Sequence, residues 1–417
     1  MKHKKLFVAA VAIFSLIVFL AIFIVIWFWG DTYSDMADFN SGVEIPGLEE
    51  GAVPQGMTNY TYVGSDQAIT KQEYFFISAY MKNGPSRLYV SGARTGYVGY
   101  VTLKNEDGTD YFGHAGGIAN SCNNSDTDGD KRVSTRVTNG TFWLTSDGTV
   151  FCMKSSSEYS SKYNIAEEII LKAALEEGDK SVQFTSSFKA NNEASFCYFY
   201  DDGTSSTLND KLYVGEFYRK GNYETADNHR ITTQNGIAQR AFVYEYTSNT
   251  NSTNKYGLTV ISDTNVPENN RVPKIQNIYS VPDKIQGFAR TSSGNLVLSQ
   301  SYGLPNSHLY YYNWTDITTS SNRETYANLT GKNFAYEGVY YEKRGNQEPV
   351  QYTDPSLNIY FIDKTHLVRD YSLPSMSEGM CVNNDRIFVL FESGSYKYRP
   401  FVRQTLKNVQ YFSPRKK

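Results

Sequence analysis

The sequence predicts an all-β chain, and within that class a β-propeller of five to seven blades behind an N-terminal transmembrane helix. Three observations lead there. Short apolar runs between Gly, Asn, Asp and Ser clusters fill the chain after residue 30. Helical periodicity is nearly absent over the same stretch. A four-residue motif recurs, made of a pair ending in Gly or Ser, a large apolar residue and a small one.

The copies are Gln55-Gly56-Met57-Thr58, Gly116-Gly117-Ile118-Ala119, Ala194-Ser195-Phe196-Cys197, Gln286-Gly287-Phe288-Ala289 and Glu378-Gly379-Met380-Cys381. Each leads to an apolar strand: Phe75–Ser78, Phe142–Thr145, Leu212–Gly215, Leu296–Ser299 and Ile387–Leu390. An aromatic-rich third strand follows in most copies, as in Leu88-Tyr89-Val90 and Leu309-Tyr310-Tyr311. One such sheet cannot bury both faces alone, but sheets packed radially can, and small motif residues suit the crowded hub. The copies lie 61, 78, 92 and 92 residues apart, beyond the usual blade length of about 40–50, so the wider gaps hold long loops or a further blade. A weaker copy at Glu337-Gly338-Val339, followed by Ile359–Ile362, divides the last gap. Two sandwich domains are the competing all-β arrangement, and they predict no recurrence.

One segment has helical spacing: Ile165, Ile169 and Ala173, with Asn164 as cap, Glu167 and Glu168 in the first turn and Gly178 as the stop. It predicts a helical insertion near 164–178, packed on the main fold. Residues 6–29 are apolar apart from Ser15, and long enough to cross a bilayer. Trp27, Phe28 and Trp29 crowd the far end, and Lys2, Lys4 and Lys5 precede the span. The positive-inside rule then keeps residues 1–5 cytoplasmic, with 6–29 an uncleaved signal anchor. Residues 30–50 read as a linker and 51–417 as the extracellular propeller, placing the chain in the cell membrane as a single-pass protein. Cys122 and Cys152 flank one strand and could pair in such a compartment, with free buried thiols the alternative.

The net charge of −3, beside 34 Tyr and 24 Phe, lacks the basic excess of a nucleic-acid binder. No Gly-x-Ser-x-Gly elbow, Walker motif, Cys-x-x-Cys pair or His-Glu-x-x-His helix occurs, which disfavours the common serine hydrolases, nucleotide hydrolases and zinc proteases.

Three stretches, IQGFARTSSGNLVLSQSYG (285–303), SEGMCVNNDRIFVLFESG (377–394) and HAGGIA (114–119), resemble bacterial extracytoplasmic propellers related to the SMP-30/gluconolactonase and strictosidine-synthase-like group. The resemblance implies a propeller fold, lactone hydrolysis and a divalent metal in the central channel, held by acidic and Asn side chains. One such ligand in that group is the Glu of a Glu-Gly step, which Glu378-Gly379 resembles.

Ligands of propellers bind where inner strands converge, so residues beside the motif and just after the second strand are the candidates. These are Gln55, His114 and Gln286 before the motif, and Glu216, Gln300, Tyr302 and Glu392 after the strand. Glu378 is the candidate metal ligand among them. His229 lies in a polar loop close after Glu216 and could reach the same mouth. Asp126, Asp128 and Asp130 alternate in an Asn/Asp/Gly run and could wrap Ca²⁺, although Thr135 stands where an EF-hand needs Glu. The functional expectation is a membrane-anchored propeller that binds a glycan, peptide or small molecule at the channel mouth. A metal-dependent lactonase- or esterase-like hydrolase and an envelope scaffold are the alternatives.

Overall fold

The computed structural model describes residues 11–21, 42–43, 45–46, 50–63, 71–128, 131–137, 139–190, 192–202, 210–225, 229–249, 254–262, 271–303, 305–325, 339–340, 351–352, 357–373, 376–383, 386–392 and 409–412. Among them, five sheets of four to six strands stand around a common axis. Each opens on a motif-bearing inner strand and steps outward through antiparallel neighbours. The inner strands are Ala52–Val63, Ile118–Asn120, Ala194–Tyr200, Ile285–Arg290 and Ser377–Asn383. We call their sheets blades 1 to 5. Each inner strand packs against the next, and that of blade 5 packs against that of blade 1, so the ring closes. This is a β-propeller, and the five motifs are its five hub strands.

Period-2 alternation explains the unbroken apolar runs of the second strands. In Lys71–Met81, Phe75 and Ile77 face the core shared with blade 5, while Phe76 faces the core shared with blade 2. In Lys211–Glu216, Leu212 and Val214 join blade 2, and Tyr213 joins blade 4. Both faces of every sheet are therefore core. The Tyr213 and Phe288 rings stack across the blade 3–4 seam at 4.6 Å.

The hub is set by backbone contact. A Cβ on Gly56 would lie 2.5 Å from the Gly116 carbonyl oxygen, and one on Gly117 would lie 2.3 Å from the Cys197 nitrogen. On Gly379 it would lie 2.8 Å from the Met57 nitrogen. Only a residue without a side chain lets inner strands approach this closely. Cys197 and Cys381 occupy matching positions in blades 3 and 5. All four cysteines are free and buried, so the pairing of Cys122 with Cys152 is not formed. Burial pushes the Cys152 thiol up to about 12.

The long gaps between motifs have a specific cause. Between the third and fourth strands of blade 2, the chain leaves through a helix, α1, at Ile165–Ala173. It then lays Ser181–Gln183 parallel along the outer strand of blade 1, and returns. Blade 4 repeats the excursion, laying Asn358–Phe361 parallel along the outer strand of blade 3. The segment 359–362 therefore straps blade 3 and is not a blade of its own. Val339–Tyr340 pairs with Gln351–Tyr352 as a separate two-stranded hairpin, and residues 337–338 lie outside the described residues.

Helix α1 keeps its predicted start. Asn164 accepts from the Glu167 N–H at 3.0 Å, and the Glu167 carboxylate accepts from the Asn164 N–H at 3.0 Å, which closes a capping box. It ends at Ala173 rather than near Gly178, because its last turn lands on blade 1: a Cβ on Gly99 would lie 2.1 Å from the Ala173 carbonyl oxygen.

Part of the predicted linker also joins the propeller. Gly42–Val43 pairs antiparallel with Val409–Phe412, so blade 5 takes its outermost strand from early in the chain. A helix covers 11–21, inside the predicted 6–29 span whose other residues lie outside the described ones. No helix among the described residues is long and apolar enough to cross a membrane.

Substituting Gly117→Ala is expected to lower stability by about 3 kcal/mol or more through overpacking against the rigid backbone of blade 3. Ser195→Ala, at the equivalent motif position, is expected to change it by less than about 1 kcal/mol. Urea unfolding of both variants checks the contrast.

Candidate functional site

The hub strands do more than pack, because four of them break register at the motif. The pairing skips between Pro54 and Gly56, Ala194 and Phe196, Ile285 and Gly287, and Ser377 and Met380. The skipped residues are Gln55, Ser195, Gln286 and the Glu378-Gly379 pair. A bulge leaves a residue outside the ladder and re-aims its side chain. In blade 2 the Gly116-Gly117 step plays this part, with the Gly116 N–H donating to the Thr145 carbonyl at 2.8 Å. Hydroxyls hold the bulges in place. Ser78 Oγ accepts from the Gly56 N–H at 3.0 Å and donates to the Gly116 carbonyl in the next blade. Ser299 and Ser377 share a hydrogen bond of 2.8 Å across the blade 4–5 seam.

All five first-position residues, Gln55, Gly116, Ala194, Gln286 and Glu378, line one cavity of about 560 Å³ at this end of the axis. His114, Tyr302 and Glu392 line it too. Six sequence candidates therefore meet: Gln55, His114, Gln286, Tyr302, Glu378 and Glu392. His114 stands at the rim, its ring 5.2 Å from that of Tyr80.

Glu378 is the most constrained of them. It is 5% exposed. No protein hydrogen bond reaches its carboxyl among the described residues, and its one close ionisable neighbour is Glu392. Burial first, and the like charge of Glu392 second, hold its pKa well above the usual carboxylate range. A buried carboxyl left without a donor asks for one from a ligand, or keeps a proton.

Glu216 and Gln300 do not line the cavity, because protein groups engage both side chains elsewhere. They are the last residues of their second strands, whereas Asp147, Phe217, Tyr302 and Glu392 lie just beyond theirs and do line it. Glu216 is instead fully buried as a tie between blade and loop. Its carboxylate accepts from the Phe242 N–H at 2.9 Å and the Glu193 N–H at 3.2 Å, and lies 3.0 Å from His229 Nδ1. His229 is thereby held beside Glu216 and away from the mouth. Gln300 donates to the Asp283 carbonyl at 2.7 Å and accepts from Tyr310 at 2.6 Å.

The cavity also gathers residues that no motif singled out: Asp147, Glu193, Phe217, Tyr223 and Glu224. Asp147 had a readable signal. It sits with Gly148 in a two-residue hairpin, at φ of 45° and 75°, between Phe142–Ser146 and Thr149–Met153. Positive φ at both central residues is the Asp-Gly hairpin turn.

Neither proposed metal set assembles. Asn123–Asp128 is a strand paired with Lys131–Arg136, so the backbone at Asp126 and Asp128 is an extended ladder and not an ion-wrapping loop; Asp130 lies outside the described residues. At the cavity, no three carboxylate or imidazole groups come within ligand distance of one another among the described residues. Acidic and imidazole groups alone therefore do not assemble the ligand set that the resemblance implies, and we derive no step through a metal. Among the described residues the trio that does cluster is Asp201, Asp202 and Asp210. It sits at the turn where Tyr200 pairs with Lys211, the opposite end of blade 3 from the cavity.

No protein-family profile matches this chain, and no curated protein matches it. Among solved structures, the chain is similar to the PQQ-bound form of aldose sugar dehydrogenase from Streptomyces coelicolor, at 9% identity and a TM-score of 0.35, covering 89% of this chain and 96% of that one. BamB from Moraxella catarrhalis is similar at 10% identity and a TM-score of 0.21, covering 89% and 94%. Likenesses this distant carry no chemistry across, and none ties the chain to the SMP-30 group. The propeller assignment stands on the ring of sheets itself.

Asp210 yields a pH prediction. Burial, with Asp201 beside it, pushes its carboxyl up to about 8 from 3.8. The folded state therefore holds this proton where the unfolded chain releases it, and the contribution is full at low pH and lost as pH rises from about 4 to about 8. Asp210→Asn keeps the oxygen that accepts from the Asp202 N–H at 3.1 Å. The variant is expected to melt above the wild type beyond about pH 8, and below it the difference shrinks; melting curves across that range test this.

Proposed function

We propose that this chain is a ligand-binding β-propeller, tethered to a membrane through residues 6–29 with its blades on the outer side, whose ligand sits in the cavity at the channel mouth. The observation that carries this reading is the Glu378 carboxyl: buried, facing the cavity from a bulge, and given no hydrogen bond by the described protein. A group so placed costs stability unless a partner arrives. Gln55 and Gln286, aimed into the same space from blades 1 and 4, add amide donors and acceptors for polar recognition.

A second reading has its own support. Glu378 and Glu392 form a carboxyl pair in which the first keeps its proton far above the ordinary range. One carboxylic acid beside one carboxylate is the requirement for general acid–base hydrolysis of a small ester or lactone.

The experiment is a melting-temperature screen of the full-length protein against a small-molecule library, run beside the Glu378→Gln variant, with lactone turnover measured on both. A true ligand at one hundred times its Kd is expected to stabilise the wild type by about 2.7 kcal/mol and the variant by much less. Stabilisation of both proteins alike removes the cavity from the reading. Turnover in the wild type that vanishes in Glu378→Gln decides for the hydrolase.

A further inference from the structure

The cavity has two chemical surfaces, and together they specify its occupant more narrowly. Five acidic side chains line it, Asp147, Glu193, Glu224 and Glu392 together with the proton-holding Glu378, and no Lys or Arg does among the described residues. A cleft lined by one sign of charge concentrates the opposite charge, and more so where low-dielectric walls focus the field.

One wall is aromatic. Phe217 and Tyr302 lie nearly parallel, with ring centroids 6.1 Å apart at 28°, and Tyr223 stands edge-on to Phe217 at 5.6 Å and 77°. These rings come from two blades: Phe217 and Tyr223 follow the second strand of blade 3, and Tyr302 that of blade 4. The Arg219 guanidinium covers one face of the Tyr302 ring, 3.7 Å from its centroid, and does not itself line the cavity. Carboxylates opposite π-faces are the pairing that retains ammonium groups, through charge and through cation–π attraction.

We infer that the ligand is a small organic cation whose ammonium group meets Glu378 while its carbon body lies on the Phe217, Tyr223 and Tyr302 rings. This rests on the reading of the cavity as a ligand site, and it names the ligand class. Neutral sugars gain the aromatic contact but bring no positive charge beside which the buried Glu378 carboxyl would give up its proton. Inorganic cations answer the charge but leave the rings without a partner, and the carboxylates do not converge in threes to hold one.

The test is calorimetric titration of the full-length protein with four probes: 1,5-diaminopentane, glucosamine, glucose and Ca²⁺. The expected result is binding of the two amines, at least about tenfold tighter for glucosamine than for glucose, and weakening as salt rises. Glu378→Gln is expected to abolish this preference. Tyr302→Ala is expected to weaken amine binding about tenfold while leaving the melting temperature of the free protein nearly unchanged. Equal binding of glucose and glucosamine, or binding of Ca²⁺ alone, each lost in Glu378→Gln, overturns the ammonium assignment and leaves the cavity as a ligand site. Amine binding that survives both substitutions overturns the assignment and the site together, as does failure of every probe here and of the library.

Discussion

The constraint on which the molecule depends is the backbone-to-backbone approach of the hub strands. Gly56, Gly117 and Gly379 let one inner strand lie against the next at distances no side chain permits. That approach draws five sheets close enough for the alternating side chains of each second strand to interlock on both faces. At the same motif the ladder breaks in four of the five blades, and the break turns Gln55, Gln286 and Glu378 out of the blade and toward the axis. Packing and site geometry thus meet in one motif.

This shared motif explains why so much of the hub was legible in the sequence. The small residue required at each close approach recurs beside the residue that the bulge turns inward, so one motif reports both. Glu378 and Gln286 were readable because they sit next to a glycine whose role is steric. The strand ends were harder. Glu216 and Gln300 close their strands and are tied to neighbouring protein groups, and nothing in the sequence separates them from Asp147, Phe217 and Glu392, which lie just past theirs and reach the cavity. Glu224 and Tyr223 had no periodic signal, since loop geometry alone brings them to the mouth.

The blade excursions were opaque for a different reason. A parallel strand laid on the edge of the preceding blade looks, in one dimension, like the start of a new repeat. Ile359–Phe361 is apolar because it is covered on that edge, as any blade strand would be. Cysteine chemistry was equally silent: each thiol is buried in packing, and nothing in the spacing of Cys122 and Cys152 distinguishes a bridge from two well-filled core positions.

The outermost strand of blade 5 is borrowed from early in the chain, through Gly42–Val43 against Val409–Phe412. During synthesis the first of these segments emerges long before the second, and closing so wide a loop is slow and entropically expensive. Glu378 and Glu392 belong to that last-completed blade. The wall that carries Glu378 and Glu392 is thus fastened by a strand from the far end of the sequence, and the chamber is closed only where the two ends of the ring are joined.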